Sequence, residues 1–118
     1  DSYNAGPASM TAALRSLADL PARRRVAVVG IMAELGDRAA AEHQRITELA
    51  DQLGVELLAV DTHLYGPDPI EAGETVARMA EDGMLVRGTA VLVKGSRVAG
   101  LEDVAHALVE HAGGAPSS

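Results

Sequence analysis

Three short apolar runs, separated by stretches of helical periodicity, constrain the fold of this chain more than any other feature. The runs occupy residues 26–29, 55–60 and 89–93. Each is mainly aliphatic and too short for a helix, which is typical of strands buried on both faces of a parallel sheet. The alternation of strands and helices predicts an α/β fold: a three-layer Rossmann-like domain with a mainly parallel sheet flanked by helices.

Helical periodicity and end signals define the intervening elements. Pro7 fits the first position of a helix that ends near residues 20–21, because its missing N–H would be unpaired there anyway. A second helix is predicted over residues 38–53, with Asp37 as its N-cap and Gly54 just after its end.

Two further helices complete the pattern. A weaker one is predicted over residues 71–81 and a final one over residues 101–109. We expect residues 1–112 to form one domain and residues 113–118 to be a flexible tail.

Composition argues against several classes of function. The net charge is −7 and the two aromatic residues are Tyr3 and Tyr65, which is a poor basis for nucleic-acid binding. No apolar run has the length of a membrane span, and the absence of Cys fits a reducing compartment. Neither a phosphate-binding G-x-x-x-x-G-K-[ST] loop nor a G-x-S-x-G nucleophile elbow is present, and no His pair has metal-ligand spacing. We expect no nucleic-acid partner, no membrane span, no metal and no catalytic residue in this domain.

Three loops leave the carboxyl ends of the predicted strands, where ligands approach folds of this kind. They begin at residues 30, 61 and 94. In the third loop, Lys94 and Arg97 offer two cations and Ser96 a hydroxyl, a set that suits a carboxylate or phosphate group. The alternative is an ordinary strand-to-helix loop with solvated cations.

Polar residues also precede the first helix. Asp1 could accept the paired hydroxyl hydrogen bonds of a ribose, with Tyr3 and Asn4 beside it. Alternatively, Asp1, Ser2 and Asn4 only cap the helix that begins near Pro7.

Taken in order, three segments resemble the C-terminal domain of the Mur ligases. They are residues 1–10 (DSYNAGPASM), 25–36 (RVAVVGIMAELG) and 91–97 (VLVKGSR), and the resemblance extends to about residue 111. The pattern is most similar to the branch of the family that adds D-alanyl-D-alanine to a UDP-N-acetylmuramoyl-tripeptide in peptidoglycan precursor synthesis.

The resemblance implies one lobe of a cytoplasmic, ATP-dependent ligase that works through an acyl phosphate. ATP and Mg²⁺ would be bound mainly by a central P-loop domain, and an N-terminal domain would hold the UDP-linked substrate. It also implies that Asp1 contacts the nucleotide ribose at the domain junction, and that Tyr3 and Asn4 line the cleft between lobes. Ser96 and Arg97 would face the incoming dipeptide or the junction, with Lys94 nearby. The isolated chain would be inactive.

The chain departs from the family pattern in places. Gly6 stands where the family has Asn, and Ile31 where it often has an acidic or amide residue. Residues 61–88 leave no room for a further strand and helix, and the loop at residues 63–68 matches no family motif. These departures keep two alternatives open: a ligase with another amine substrate, and a free-standing, non-catalytic module that binds small anions. A third is that the resemblance reflects shared architecture only.

Overall fold

The computed structural model describes residues 6–95, which form a parallel sheet with helices on both faces. The strands are β1 (Arg24–Val29), β2 (Glu56–Ala59) and β3 (Thr89–Lys94). The helices are α1 (Pro7–Ala18), α2 (Ala39–Leu53) and α3 (Thr75–Glu81), and 3₁₀ turns at Gly36–Arg38 and Ala72–Glu74 precede α2 and α3. The strands and helices predicted within residues 6–95 are therefore confirmed, with small shifts at their ends. The predicted final helix and tail lie outside the described residues.

The central strand of the sheet is β1, and the strand order is β2-β1-β3. Both neighbours run parallel to β1, and Val26 lies opposite Glu56 on one side and Val91 on the other. Within residues 6–95, the chain segment that connects β2 to β3 makes one isolated parallel bridge, in which Ile70 pairs with Val60. The chain segment that the sequence showed to be short therefore adds one residue, not a full strand, to this side of the sheet.

The side chains of β1 alternate between two apolar clusters, one on each face of the sheet. Ala27 and Val29 pack with Leu14 of α1 and Ile46 of α2. Val26 and Val28 pack on the opposite face with Met79 of α3 and with Met84. These four residues of β1 are fully buried, which explains why residues 26–29 are uniformly apolar. The helices on both faces confirm the predicted three-layer architecture.

The ends of α2 show one prediction confirmed and one wrong. Gly54 closes α2 in a left-handed conformation with φ of 72°, as its position predicted. Asp37 is not the N-cap: the capping residue is Arg38, and no side chain caps the helix. The reason is local, because Gly36 has φ of 55° and begins a 3₁₀ turn that takes Asp37 inside it.

An ion pair joins two strands at the edge of the sheet where the strands begin. Arg24 of β1 binds Glu56 of β2 through two hydrogen bonds, and the Nη2–Oε1 distance is 2.8 Å. The hydrogen bond from Arg24 is the main cause that lowers the pKa of the Glu56 carboxyl. Arg24 also donates to the carbonyl of Asp82 beyond α3, so one side chain connects β1 with the segments on both sides.

Within residues 6–95, none of the helices combines the length and apolarity that crossing a membrane requires.

Candidate functional site

All three strands end at one edge of the sheet, which we call the carboxyl edge. It is formed by the strand ends Val29, Ala59 and Lys94 and the loops that follow them. From β1 the chain passes through α2 to β2 on one side, and it later passes through α3 to reach β3 on the other side. The connections thus diverge between β1 and β3. In open α/β sheets, the crevice at such a switch point is the usual place for a ligand.

Gly30 and Lys94 lie at the switch point between β1 and β3, a position that we call the β1–β3 crevice. The Gly30 N–H donates to the carbonyl of Lys94 at 3.0 Å, which extends the β1–β3 pairing by one residue. Lys94 is half-buried and Gly95 is buried. The amine of Lys94 is thus carried by the last residue of a strand that β1 holds in register, a more rigid position than a loop provides.

The loop after β1, residues 30–36, borders the same crevice. Met32 is buried in the cluster formed with α1 and α2, whereas Glu34 is exposed. Glu34 has φ of 63°, a left-handed conformation that is uncommon for a residue with a side chain. Surrounding contacts must therefore hold this loop in shape.

One of those contacts is made by His43 of α2, which is fully buried. Its Nε2 accepts a hydrogen bond from the Met32 N–H at 2.9 Å, and its Nδ1 lies 2.6 Å from the carbonyl of Ala39. Because a carbonyl only accepts and an N–H only donates, Nδ1 carries the proton and the ring is neutral. The buried imidazole therefore joins the loop after β1 to the first turn of α2.

The second contact is made by Tyr65, which is also fully buried. Its hydroxyl donates to the carbonyl of Gly30 at 2.7 Å. Its ring meets the His43 ring edge to face, with centroids 4.8 Å apart. Burial raises the pKa of this hydroxyl above its ordinary value, so it remains a protonated donor across the neutral pH range.

Of the site residues predicted from sequence, Lys94 lies within the described part of the chain, at the carboxyl edge. Asp1, Tyr3, Asn4, Ser96 and Arg97 lie outside residues 6–95, and their proposed roles remain predictions. The structure brings Lys94 beside Gly30 and the loop that carries Glu34. Glu34 is exposed on this loop, as is usual for a surface carboxylate.

His43 and Tyr65 were not among the predicted site residues. The spacing of the histidines argues against a metal site, and the sequence predicts residues 61–69 to be a loop. A signal was available for Tyr65, since an aromatic side chain within a Gly- and Pro-containing loop has a large apolar area to bury. No signal of comparable strength marked the His43 contact, which depends on tertiary structure.

A surface groove of about 740 Å³ lies between α1 and α2. Charges of both signs line it, including Arg15, Glu48 and an Arg45–Glu42 ion pair within α2. Its lining does not include Gly30, Glu34 or Lys94. The groove is therefore separate from the carboxyl edge.

Comparison with known proteins places this geometry in context. A family model described as "Mur ligase, glutamate ligase domain" matches residues 1–113. The UDP-N-acetylmuramoyl-tripeptide–D-alanyl-D-alanine ligase of Escherichia coli (strain K12) is 37% identical over 94% of this chain and 26% of its own length. The ligase of the same name from Mycobacterium tuberculosis (strain CDC 1551 / Oshkosh) is 39% identical over 92% of this chain and 28% of its own.

A solved structure is also similar. The crystal structure of MurF ligase from Thermotoga maritima in complex with ADP superposes with a TM-score of 0.72 and 27% sequence identity. The similarity covers 93% of this chain and 27% of that one.

This chain spans about a quarter of the length of the relatives it matches. The alignment with the Mycobacterium tuberculosis protein runs over 141 residues, more than the 118 of this chain. That relative therefore has additional residues inside the shared region.

Proposed function

Because this chain belongs to the Mur ligase, glutamate ligase domain family, we propose that it is the C-terminal lobe of an ATP-dependent amide-bond-forming ligase. The reaction is the addition of D-alanyl-D-alanine to a UDP-N-acetylmuramoyl-tripeptide, a cytoplasmic step of peptidoglycan precursor synthesis. One observation carries the proposal: relatives bearing that name match more than nine-tenths of the chain at 37–39% identity. The family match supports a lobe made of residues 1–112, followed by a short tail at residues 113–118.

In the proposed reaction the γ-phosphoryl group of ATP moves to the tripeptide carboxylate, which yields an acyl phosphate and ADP. The amine of the dipeptide then attacks the acyl carbon. A C–N bond forms, the bond to the phosphate oxygen breaks, and phosphate and a proton are released. Such chemistry depends on neutralising phosphoryl charge and on positioning the amine.

The carboxyl edge supports a part in binding and positioning. Lys94 is a cation at the switch point of the sheet, and the main-chain bond from Gly30 fixes its backbone. A carboxylate or phosphate group at this edge would gain a charge-assisted hydrogen bond from the amine. We propose that Ser96 and Arg97 extend this substrate-binding surface, and that Asp1, Tyr3 and Asn4 face the nucleotide and the domain junction.

The residues described do not fit a complete site for ATP and Mg²⁺. Within residues 6–95 there is no group of three side chains able to hold a metal ion, and the sequence has no G-x-x-x-x-G-K-[ST] loop. We therefore propose that ATP and Mg²⁺ are bound mainly by a central P-loop domain of the parent chain. An N-terminal domain would hold the UDP-linked substrate, and closure of the lobes would exclude water from the reacting groups.

The proposal is tested with the longest reading frame that contains this chain. The purified product is incubated with ATP, Mg²⁺, UDP-N-acetylmuramoyl-tripeptide and D-alanyl-D-alanine, and ADP release and the ligated product are measured. We expect ADP release to require both substrates, and the 118-residue chain alone to release none.

Other outcomes select the alternatives. Ligation of a different amine to the tripeptide would identify a divergent Mur-type ligase. If the natural product is no longer than this chain and releases no ADP, the ligase proposal fails. Binding of inorganic phosphate to that product, measured by calorimetry, would then favour the small-anion-binding module.

A further inference from the structure

The loop at residues 61–69 connects the β2 side of the sheet to the crevice between β1 and β3. It leaves the sheet at Val60 and returns at Ile70, which pairs with Val60. Between these points it sends Tyr65 inward, to a fully buried position against α2. The segment that lacks room for another helix thus places an aromatic side chain beneath the carboxyl edge.

The Tyr65 hydroxyl reaches this edge through one residue, Gly30, by way of the two peptide units that flank its Cα. It donates to the Gly30 carbonyl at 2.7 Å, and the Gly30 N–H donates to the Lys94 carbonyl at 3.0 Å. Two consecutive hydrogen bonds therefore connect Tyr65 with the last residue of β3. Each bond holds one of the two peptide units that flank the Gly30 Cα, so the φ and ψ angles of Gly30 can change substantially only if one of these bonds breaks.

The position of Tyr65 is itself fixed from α2. The Thr47 hydroxyl donates to the Tyr65 carbonyl at 2.7 Å, and the His43 ring contacts the Tyr65 ring edge to face. His43 in turn accepts the hydrogen bond from Met32, two residues beyond Gly30. Backbone and ring are both held, so the hydroxyl has a defined direction.

We propose that Tyr65 is a positioning residue: through the backbone of Gly30 it sets the geometry of the β1–β3 crevice and hence of the substrate-binding end of β3 that carries Lys94. This role rests on the proposed ligase function only for its effect on substrate. The other part of the proposal, that a residue of the 61–69 loop controls Gly30, does not depend on the ligase function.

The first test measures amide hydrogen exchange in the 118-residue chain and in its Tyr65→Phe variant. The variant keeps the ring and removes the hydroxyl, so the core packing is retained. We expect exchange at Gly30 and Met32 to accelerate about fivefold more than at Val28, the ratio expected from one lost buried hydrogen bond. Glu56→Gln, which weakens an ion pair at the opposite edge, is the matched control and should not single out Gly30 and Met32.

Equal acceleration at Gly30, Met32 and Val28 in Tyr65→Phe would overturn the inference, because it would reveal only a general loss of stability.

The second test measures steady-state kinetics of the parent ligase. We expect Tyr65→Phe to raise KM for D-alanyl-D-alanine about fivefold with a smaller change in kcat, because the crevice is misaligned while the folded fraction is kept. A purely structural role would lower kcat in proportion to the folded enzyme and leave KM unchanged, and that result would overturn the substrate half of the proposal. If the wild-type parent shows no ligase activity, the proposed function fails and the exchange experiment alone decides the structural half.

Discussion

Several turns of this domain contain a residue in the left-handed backbone conformation. One of these residues, Gly54, ends the longest described helix, α2. Its φ is 72°, and a Cβ built there would meet no atom within 4 Å. A side chain at this position therefore costs conformational energy without a steric clash. Gly73, in the turn before α3, has equally open surroundings without a positive φ.

These two glycines form a matched pair. We expect Gly54→Ala to lower the free energy of unfolding by about 1 kcal/mol, because a residue with a Cβ is strained in the left-handed region. Gly73→Ala should be neutral or slightly stabilising. Chemical denaturation of both variants measures the difference, and an equal effect of the two substitutions would contradict the role assigned to φ.

At His43 the two ring nitrogens can be tested separately. Glutamine can carry an acceptor close to the position of Nε2, whereas asparagine reaches only the position of Nδ1. We expect His43→Gln to keep the Met32 amide protected from exchange, and His43→Asn to lose that protection. Protection that is lost equally in both variants would mean that ring packing, not the acceptor, holds the loop.

Lys94 allows a test of charge at the carboxyl edge in the proposed parent ligase. We expect Lys94→Met to reduce kcat/KM by about tenfold or more, the loss expected for one charge-assisted hydrogen bond. Lys94→Arg keeps the cation and should recover part of the activity. Wild-type kinetics in the Met variant would show that the amine faces only solvent.

At the scale of elements, the strands and helices within residues 6–95 were predictable because each is encoded in short-range pattern. The apolar run of β1 is uniform because both of its faces are covered. The end of α2 was predictable because Gly54 adopts the conformation that favours glycine. Its beginning was not, because the 3₁₀ turn at Gly36–Arg38 competes with capping by Asp37.

The support of the carboxyl edge could not be read from the same patterns. Tyr65 and Gly30 are far apart in sequence, and their hydrogen bond exists only after the 61–69 loop folds onto α2. The Gly30 carbonyl belongs to the backbone, so residue type gives no indication that it is the acceptor. Sequence therefore identified the edge and its Lys94, but not the buried residues that orient it.

The ion pair between β1 and β2 gives a pH dependence that belongs to the sheet. The pKa of Glu56 lies below its ordinary value of 4.5. Its stabilising contribution is therefore complete above pH 4.5 and is lost as pH falls through the lower folded-state pKa. We expect wild type to be more stable than Glu56→Gln at pH 7, and the difference to shrink as the pH falls below 4.5.

Urea denaturation at several pH values measures this difference. Glu42→Gln, which alters the ion pair within α2, is the control and should have a smaller effect, because its partner Arg45 is largely exposed and ion pairs with solvent-exposed groups contribute little. A difference between wild type and Glu56→Gln that stays constant from pH 7 to pH 3 would contradict the assignment.

At the scale of the whole molecule, the loop at residues 61–69 joins the outer side of the sheet to the core, because it buries Tyr65 against α2. The proposed substrate face is thus supported by a loop outside the three segments that resemble the family. We expect a change in the length of this loop to affect the carboxyl edge even where Lys94 is unchanged.

The strand order also has a consequence for the order of folding. β1, α2 and β2 are consecutive in the chain and can assemble early. The pairing of β1 with β3 joins residues far apart in sequence, such as Arg24 and Thr89, and can form only later. Long-range pairing of this kind forms late, because the entropy of closing the intervening chain is lost before the contacts are gained. We expect pulsed hydrogen exchange during refolding to protect the Val60 amide before the Gly30 amide. During synthesis on the ribosome, the binding crevice would then be completed only after β3 emerges.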